Sequence, residues 1–101
     1  MRRTIDDIIR RHPDRVPVRV LVSDDIKLER SKYLVPKEMT AGQFTSHVRK
    51  SMKLSNHEAI FMFVGKSVLP PVSRELGDLY RENAAQDGML YVTYNKENTF
   101  G

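Results

Sequence analysis

Valine occupies every second position of Val16-Pro17-Val18-Arg19-Val20-Leu21-Val22. A period of two sends alternate side chains to opposite faces of a strand, and β-branched side chains suit that geometry. The run therefore predicts a strand with one wholly apolar face (Val16, Val18, Val20, Val22) and a mixed face (Pro17, Arg19, Leu21). Pro17 has no N–H to give to a ladder, which places it near the strand's start or on an unpaired side. An apolar sheet face has to be covered by another layer, and this single run sets the problem that the other segments must solve.

Those segments divide at clear punctuation. Thr4, with Asp7 three residues on, caps a first helix whose apolar stripe is Ile5, Ile8 and Ile9. Asp6 and Asp7 suit its positive end and Arg10 and Arg11 its negative end, and Pro13 stops it at His12. It is too short to stand alone and has to pack on something. Ser23-Asp24-Asp25 turns the chain toward a second strand, Lys32-Tyr33-Leu34-Val35, which ends at Pro36. Thr40 and Gln43 form a second capping box, opening a core helix with Phe44, Val48 and Met52 at four-residue spacing. Gly42 costs that helix little so near its start. The apolar run 59–64 reads as a buried strand, Gly65-Lys66-Ser67 as a turn and Pro70-Pro71 as an extended loop. Ser73 caps a short helix bearing Leu76, Leu79 and Tyr80. Gln86-Asp87-Gly88 then turns into a last strand, Met89 to Tyr94.

The element order predicts an α+β fold, with a hairpin, a crossing helix and further strands in a four-stranded mixed sheet. It is one domain over 1–101, with an N-terminal helix in 1–12 and a flexible polar tail over 95–101. Folding at this size buries roughly two-thirds of the unfolded chain's surface, enough for one modest core.

Composition removes several classes of function. With no cysteine there is no disulfide framework, thiol nucleophile or cysteine-based zinc site. His12, His47 and His57 lack metal-ligand spacing, so neither metal nor cofactor is expected. No apolar run approaches the length of a membrane span, and the start turns acidic where a secretory signal needs its apolar stretch. A cytoplasmic protein is expected. Gly65-Lys66-Ser67 ends like a phosphate-binding loop, but Ile60 stands where that motif needs glycine. No catalytic nucleophile, base and orienter assemble. Lys and Arg number 17 against 13 Asp and Glu, a net +4, with the first third especially basic. Such a face suits acidic peptides, anionic lipid or nucleic acid, or is simply solvated.

Several short stretches, taken in order and spacing, carry a resemblance. They are His12-Pro13-Asp14-Arg15-Val16-Pro17-Val18, Lys32-Tyr33-Leu34-Val35-Pro36 and Gly42-Gln43-Phe44. Phe61-Met62-Phe63-Val64, Gly77-Asp78-Leu79-Tyr80, Leu90-Tyr91-Val92-Thr93-Tyr94 and the closing Phe100-Gly101 extend it. The chain resembles the autophagy ubiquitin-like modifiers, the family of the GABA-receptor-associated protein and the microtubule-associated protein light chains, from about Ile8 to Gly101. The resemblance implies a ubiquitin-like β-grasp with an added N-terminal helix. It also implies a modifier rather than an enzyme, trimmed by a cysteine protease, carried by activating and conjugating enzymes, and joined through Gly101 to phosphatidylethanolamine. On the autophagosome membrane, held by that covalent lipid, such a modifier recruits cargo receptors.

The ending suits that chemistry. Gly101 has no Cβ and can lie in a narrow channel leading to a catalytic thiolate, and Phe100 supplies an apolar handle beside it. As given, the chain would need no trimming, and the family's first N-terminal helix is absent or cut off. Functions credited to that helix are not carried over.

The family docks extended aromatic-x-x-aliphatic peptides, often preceded by acidic residues, by adding a strand to the edge of the second strand. On this sequence the resemblance assigns a first pocket to Ile8, Pro17, Arg19, Lys32, Leu34 and Met89. It assigns a second to Tyr33, Val35, Pro36, Met39, Phe44 and His47, and acidic-flank contacts to Arg10, Arg11, Arg15 and Arg49. Without the resemblance Leu34, Val35 and Phe44 would read as ordinary core, and Met39 and Met89 as gap fillers. Arg19, Met89 and His47 stand where relatives often carry an aliphatic residue, a phenylalanine and a leucine, differences that bear on peptide preference rather than on fold. A monomer that does not bind nucleic acid is expected. The alternatives are a modifier joined to protein lysines, an unconjugated peptide-binding adaptor, and a basic nucleic-acid-binding domain, for which no recognisable motif is present.

Overall fold

The valine run becomes strand β1 (Arg15–Val22), with Val16, Val18 and Val20 buried as the alternation requires. The computed structural model describes residues 5–54, 58–65, 67–68 and 70–96. Ahead of β1 lies helix α1 (Ile5–Arg11), closed by the His12 N–H, which donates to the Ile8 and Ile9 carbonyls before Pro13. Its expected cap, Thr4, lies outside the described residues. After β1 follow β2 (Lys32–Pro36), helix α2 (Ala41–Arg49), β3 (Ile60–Val64), a two-residue β4 (Ser67–Val68), helix α3 (Leu76–Asn83) and β5 (Leu90–Lys96).

The strands form one mixed sheet in the order β2-β1-β5-β3-β4. Only the central β1–β5 pair is parallel, with Val18 opposite Leu90 and Val20 opposite Val92. The other pairs are antiparallel. The four expected strands are present, and β4 adds a short edge within the segment expected to be turn and loop.

One sheet face carries the core. Val16, Val18 and Val20, Tyr33 and Val35, Met62 and Val64, and Leu90, Val92 and Tyr94 are buried there beneath Phe44 and Val48 of α2 and Leu76 and Leu79 of α3. Phe44 meets Tyr33 edge-on, with centroids 5.5 Å apart. Tyr94 is fully buried, its hydroxyl 2.8 Å from that of Thr45, and burial pushes its pKa up to about 12.

The second capping box is present in full. The Gln43 N–H donates to Thr40 Oγ1 at 3.2 Å, and Gln43 Oε1 accepts from the Thr40 N–H at 3.0 Å. Gly42 does more than tolerate the first turn. Its N–H donates to the Val72 carbonyl at 2.9 Å, and a Cβ there would come within 3.1 Å of the Val72 Cβ. A side chain at this position would press on Val72, so the close approach favours glycine.

Four expectations are corrected. α2 ends at Arg49, so Met52 is buried in the turn that follows rather than on the helix. There the chain tightens, the Ser51 N–H reaching the Val48 carbonyl and the Met52 N–H that of Arg49. Ser73 does not cap α3. Glu75 holds the cap position without a side-chain hydrogen bond, and its backbone forms a bridge with Thr40. The apolar run of β3 is buried on one face only, with Phe61 and Phe63 half-exposed on the other. Finally, β5 extends through Asn95 and Lys96, which pair with Phe61 and Ile60, so the tail cannot start at 95. Lys96 Nζ lies 2.8 Å from a Glu58 carboxylate oxygen, which helps to hold that strand end.

Phe44 touches both the sheet and the helix layer and is wholly buried. Phe44→Ala is expected to cost about 3–5 kcal/mol of stability, read from urea unfolding. A loss of about 1 kcal/mol or less would show that this helix does not organise the core.

Candidate functional site

The β1–β2 ladder decides which groups of β2 are free. In an antiparallel pair, hydrogen-bonded and non-bonded residue pairs alternate. The Val20 N–H donates to the Ser31 carbonyl and the Lys37 N–H to that of Asp14. With the register Val18↔Tyr33 and Val16↔Val35, the N–H and C=O of Ser31, Tyr33, Val35 and Lys37 point toward β1. Those of Lys32 and Leu34 point to the opposite side, where β2 has no neighbouring strand. Arg15 Nη1 lies 3.4 Å from the Leu34 carbonyl oxygen, a long and exposed contact. An added strand would find the Lys32 and Leu34 amides and carbonyls waiting, and Pro36 closes the edge because it has no N–H.

Cavities flank this edge on both sides. The first, about 360 Å³, lies between α1 and the outer face of β1 and β2, within the range of small ligand sites. Ile8, Pro17, Lys32, Leu34 and Met89 line it together. Pro17 is buried despite belonging to the outer face of β1, since α1 crosses that end of the strand. Arg19 is not among the lining residues; it stands beside Tyr91 in the β1–β5 register. Sequence reasoning missed Asp7, His12 and Arg30, which also line the cavity, assigned Tyr33 to the second pocket, and placed Arg11 only as a flank contact. The Arg30 guanidinium carbon sits 5.4 Å from the Tyr33 ring centroid. Arg30 was findable in principle, being two residues before Lys32 and so on the same side of an extended chain. Arg11, Arg30 and Lys32 outnumber Asp7 around the opening, and Asp7 is itself 3.5 Å from Arg10.

The second cavity is a broad depression of about 830 Å³ between the end of β2 and α2. Pro36, Met39 and His47 line it as assigned, joined by Glu38, Gln43, Ser46 and Lys50. Tyr33, Val35 and Phe44 do not line it. The same periods that place them on their elements turn them into the core, at 7%, 5% and 0% exposure. They support the depression from beneath, and His47 stacks edge-on to Tyr33 at 5.8 Å. Of the flank arginines, Arg10 is exposed near α1's end and Arg15 reaches the β2 edge. Arg49 is instead engaged with the Glu58 carbonyl ahead of β3. Phe100 and Gly101 lie outside the described residues.

Comparison with known proteins resolves the family. The sequence model described as "Autophagy protein Atg8 ubiquitin like" matches residues 2–101. The chain belongs to the Atg8 family. It is 49% identical over 94 residues to Autophagy-related protein 8c of Arabidopsis thaliana, covering 90% of this chain and 78% of that one. It is 45% identical to Autophagy-related protein 8 of Schizosaccharomyces pombe, covering 90% and 77%. The crystal structure of Trypanosoma brucei ATG8 superposes with a TM-score of 0.81 at 38% identity, over 95% of this chain and 84% of that one. The ubiquitin-like fold and the autophagy family read from the sequence are both borne out.

In this Atg8-family chain the first cavity's far wall is set by a turn. Asp87 Oδ1 accepts the Met89 N–H at 3.0 Å, and its other oxygen accepts the Tyr91 hydroxyl. Gly88, at φ +84°, makes the reversal that a residue with a side chain would strain to make. The Tyr80 hydroxyl donates to the Gly88 carbonyl at 2.7 Å, and the Ala85 N–H to the Met89 carbonyl at 2.9 Å. Met89 is thereby fixed from both sides. The Tyr91 hydroxyl, then the Met89 N–H and, to a smaller degree, the Arg19 charge hold the Asp87 carboxyl below the usual carboxylate range. The carboxylate's contribution to stability is complete above the ordinary value of about 4 and is lost as pH falls through the lowered one. The stability gap between wild type and Asp87→Asn, followed by urea unfolding across pH, is expected to be flat above about pH 4 and to shrink below it. A gap that widened on acidification would contradict this account.

Proposed function

We propose that this Atg8-family chain is a modifier conjugated through Gly101 to phosphatidylethanolamine, which docks aromatic-x-x-aliphatic segments of cargo receptors along the open edge of β2. The observation that carries the docking half is that edge itself: Lys32 and Leu34, at alternate positions of β2, direct backbone groups away from the sheet with no strand to pair them, between two cavities. Main-chain pairing supplies general affinity and the cavities select the anchors. The aromatic side chain enters the cavity of Ile8, Pro17, Lys32, Leu34 and Met89. The aliphatic one settles on Pro36, Met39 and His47. Arg11, Arg30 and Lys32 favour acidic residues ahead of the aromatic anchor. Such peptides lose freedom on binding, so a dissociation constant near micromolar, about −8 kcal/mol, is expected.

The conjugation half rests on family membership and on the terminal Phe100-Gly101. Among the described residues no helix is long and apolar enough to cross a membrane, and a covalent lipid provides an anchor that needs none. A processing cysteine protease and activating and conjugating enzymes would act on the tail. The protein itself would carry no catalytic machinery and would divide between cytoplasm and autophagosome membrane.

Mass spectrometry of the C-terminal fragment from solubilised membranes tests the anchor. Phosphatidylethanolamine on Gly101 is expected, whereas an isopeptide to lysine would move the chain to the protein-modifying branch. Deleting Gly101 is expected to abolish conjugation and leave fold and peptide docking intact; normal conjugation of the shortened chain would refute the assignment. Leu34→Ala is expected to weaken an aromatic-x-x-aliphatic peptide at least several-fold by calorimetry, with the melting curve nearly unchanged. Equal affinity would remove β2 from the site.

A further inference from the structure

A third concavity, about 220 Å³, opens between α1, the start of β1 and α3. Its walls include Ile9, Pro13 and Tyr80, and three cations from different parts of the chain stand around it: Arg15 of β1, Lys37 just after β2, and Arg81 of α3. Asp78 pairs with Arg81 and is the only carboxylate bonded to any of the three among the described residues. Lys37 is held from both sides. Its N–H donates to the Asp14 carbonyl at 3.1 Å, and its carbonyl accepts from the Gly77 N–H at 2.9 Å. Gly77 lets α3 come this close, since a Cβ there would lie 2.9 Å from the Lys37 Cβ. The backbone beneath this charge is therefore preorganised, which lowers the cost of using it.

The cavity lies at the Pro36 end of the β2 edge. Arg15 lies opposite Pro36 in the ladder and also reaches the Leu34 carbonyl, and Lys37 directly follows Pro36. A peptide with its aromatic anchor beside Lys32 and Leu34 and its aliphatic anchor beyond Pro36 runs parallel to β2. Its next residues leave toward Lys37. An extended chain advances about 3.3 Å per residue, so the first few residues after the aliphatic anchor come within reach of these cations. The small volume favours short side chains over bulky ones.

We infer that this concavity binds carboxylate side chains placed immediately C-terminal to the aliphatic anchor of a β2-docked peptide. The inference rests on the docking reading above and adds a third recognition point to it. Exposed ion pairs contribute little singly and are screened by salt, so the preference is modest and strongest at low ionic strength.

Three fluorescent peptides with identical anchors test it: one with two glutamates after the aliphatic anchor, one with two serines there, and one with glutamates only ahead of the aromatic anchor. Anisotropy titrations compare wild type with the double variant Lys37→Gln, Arg81→Gln. Wild type is expected to bind the first peptide roughly three- to tenfold more tightly than the second at low salt. The double variant loses that preference while binding the third peptide as wild type does, which also shows that it is folded. Equal affinity for the first two peptides, or a preference that survives in the double variant, would overturn the inference. Failure of all three peptides to bind wild type would overturn the β2 docking reading itself and this extension with it, a pattern distinct from loss of the C-terminal preference alone.

Discussion

The parallel pairing of β1 with β5 is the contact on which the rest of the molecule hangs. It sets Val18 beside Leu90 and Val20 beside Val92 at the centre of the sheet, all buried under α2 and α3. Two strands can lie parallel only if a long connection returns the chain to the same end of the sheet, and here that connection contains β2, α2, β3, β4 and α3. Because β5 takes one flank of β1, β2 is left on the other with a free outer edge. The same pairing puts Tyr94 opposite Val22, so β5 runs on past the end of β1, with Lys96 still paired to Ile60. The second depression and the cationic concavity lie at the other end, where Arg15 faces Pro36. In the proposed function, the conjugated tail follows one end of the sheet and the docking surface reaches the other, so both can be used at once.

An open edge strand is a hazard as well as an opportunity, because it offers unpaired backbone groups to any chain that can extend. β2 limits the risk by its length of five residues, a lysine at one end and a proline at the other. Arg15 adds a weak cover over the Leu34 carbonyl. These devices leave room for a short guest with suitable anchors and disfavour a long, flat pairing between copies.

The first cavity owes its shape to segments far apart in sequence. α1 roofs it, Pro17 and Leu34 floor it, and the Asp87 turn sets Met89 into its far wall. A single carboxylate accepting two hydrogen bonds fixes that wall, and a glycine at positive φ allows the reversal. The shape of this cavity therefore depends on a turn that reaches it only through Met89.

The sequence by itself determined the elements and their faces. The valine alternation, the Thr40 capping box, the stop at Pro13 and the family stretches were legible because they are local: a period, a cap and a forbidden torsion need no partner to be read. Through the resemblance it also named Ile8, Pro17, Lys32, Leu34 and Met89, half of the residues that line the first cavity. What it could not decide was which way a residue near a boundary faces once layers have packed. Phe44 and Val35 read as pocket and proved to be core; Tyr33 read as second pocket and lies in the core and at the wall of the first cavity; Arg19 read as pocket and stands beside Tyr91. Lys37 and Arg81 carried no periodic signal, since their meaning comes from the elements brought up against them. Strand order, the open β2 edge and the places where helices roof the sheet are products of long-range burial, and only the tertiary structure decided them.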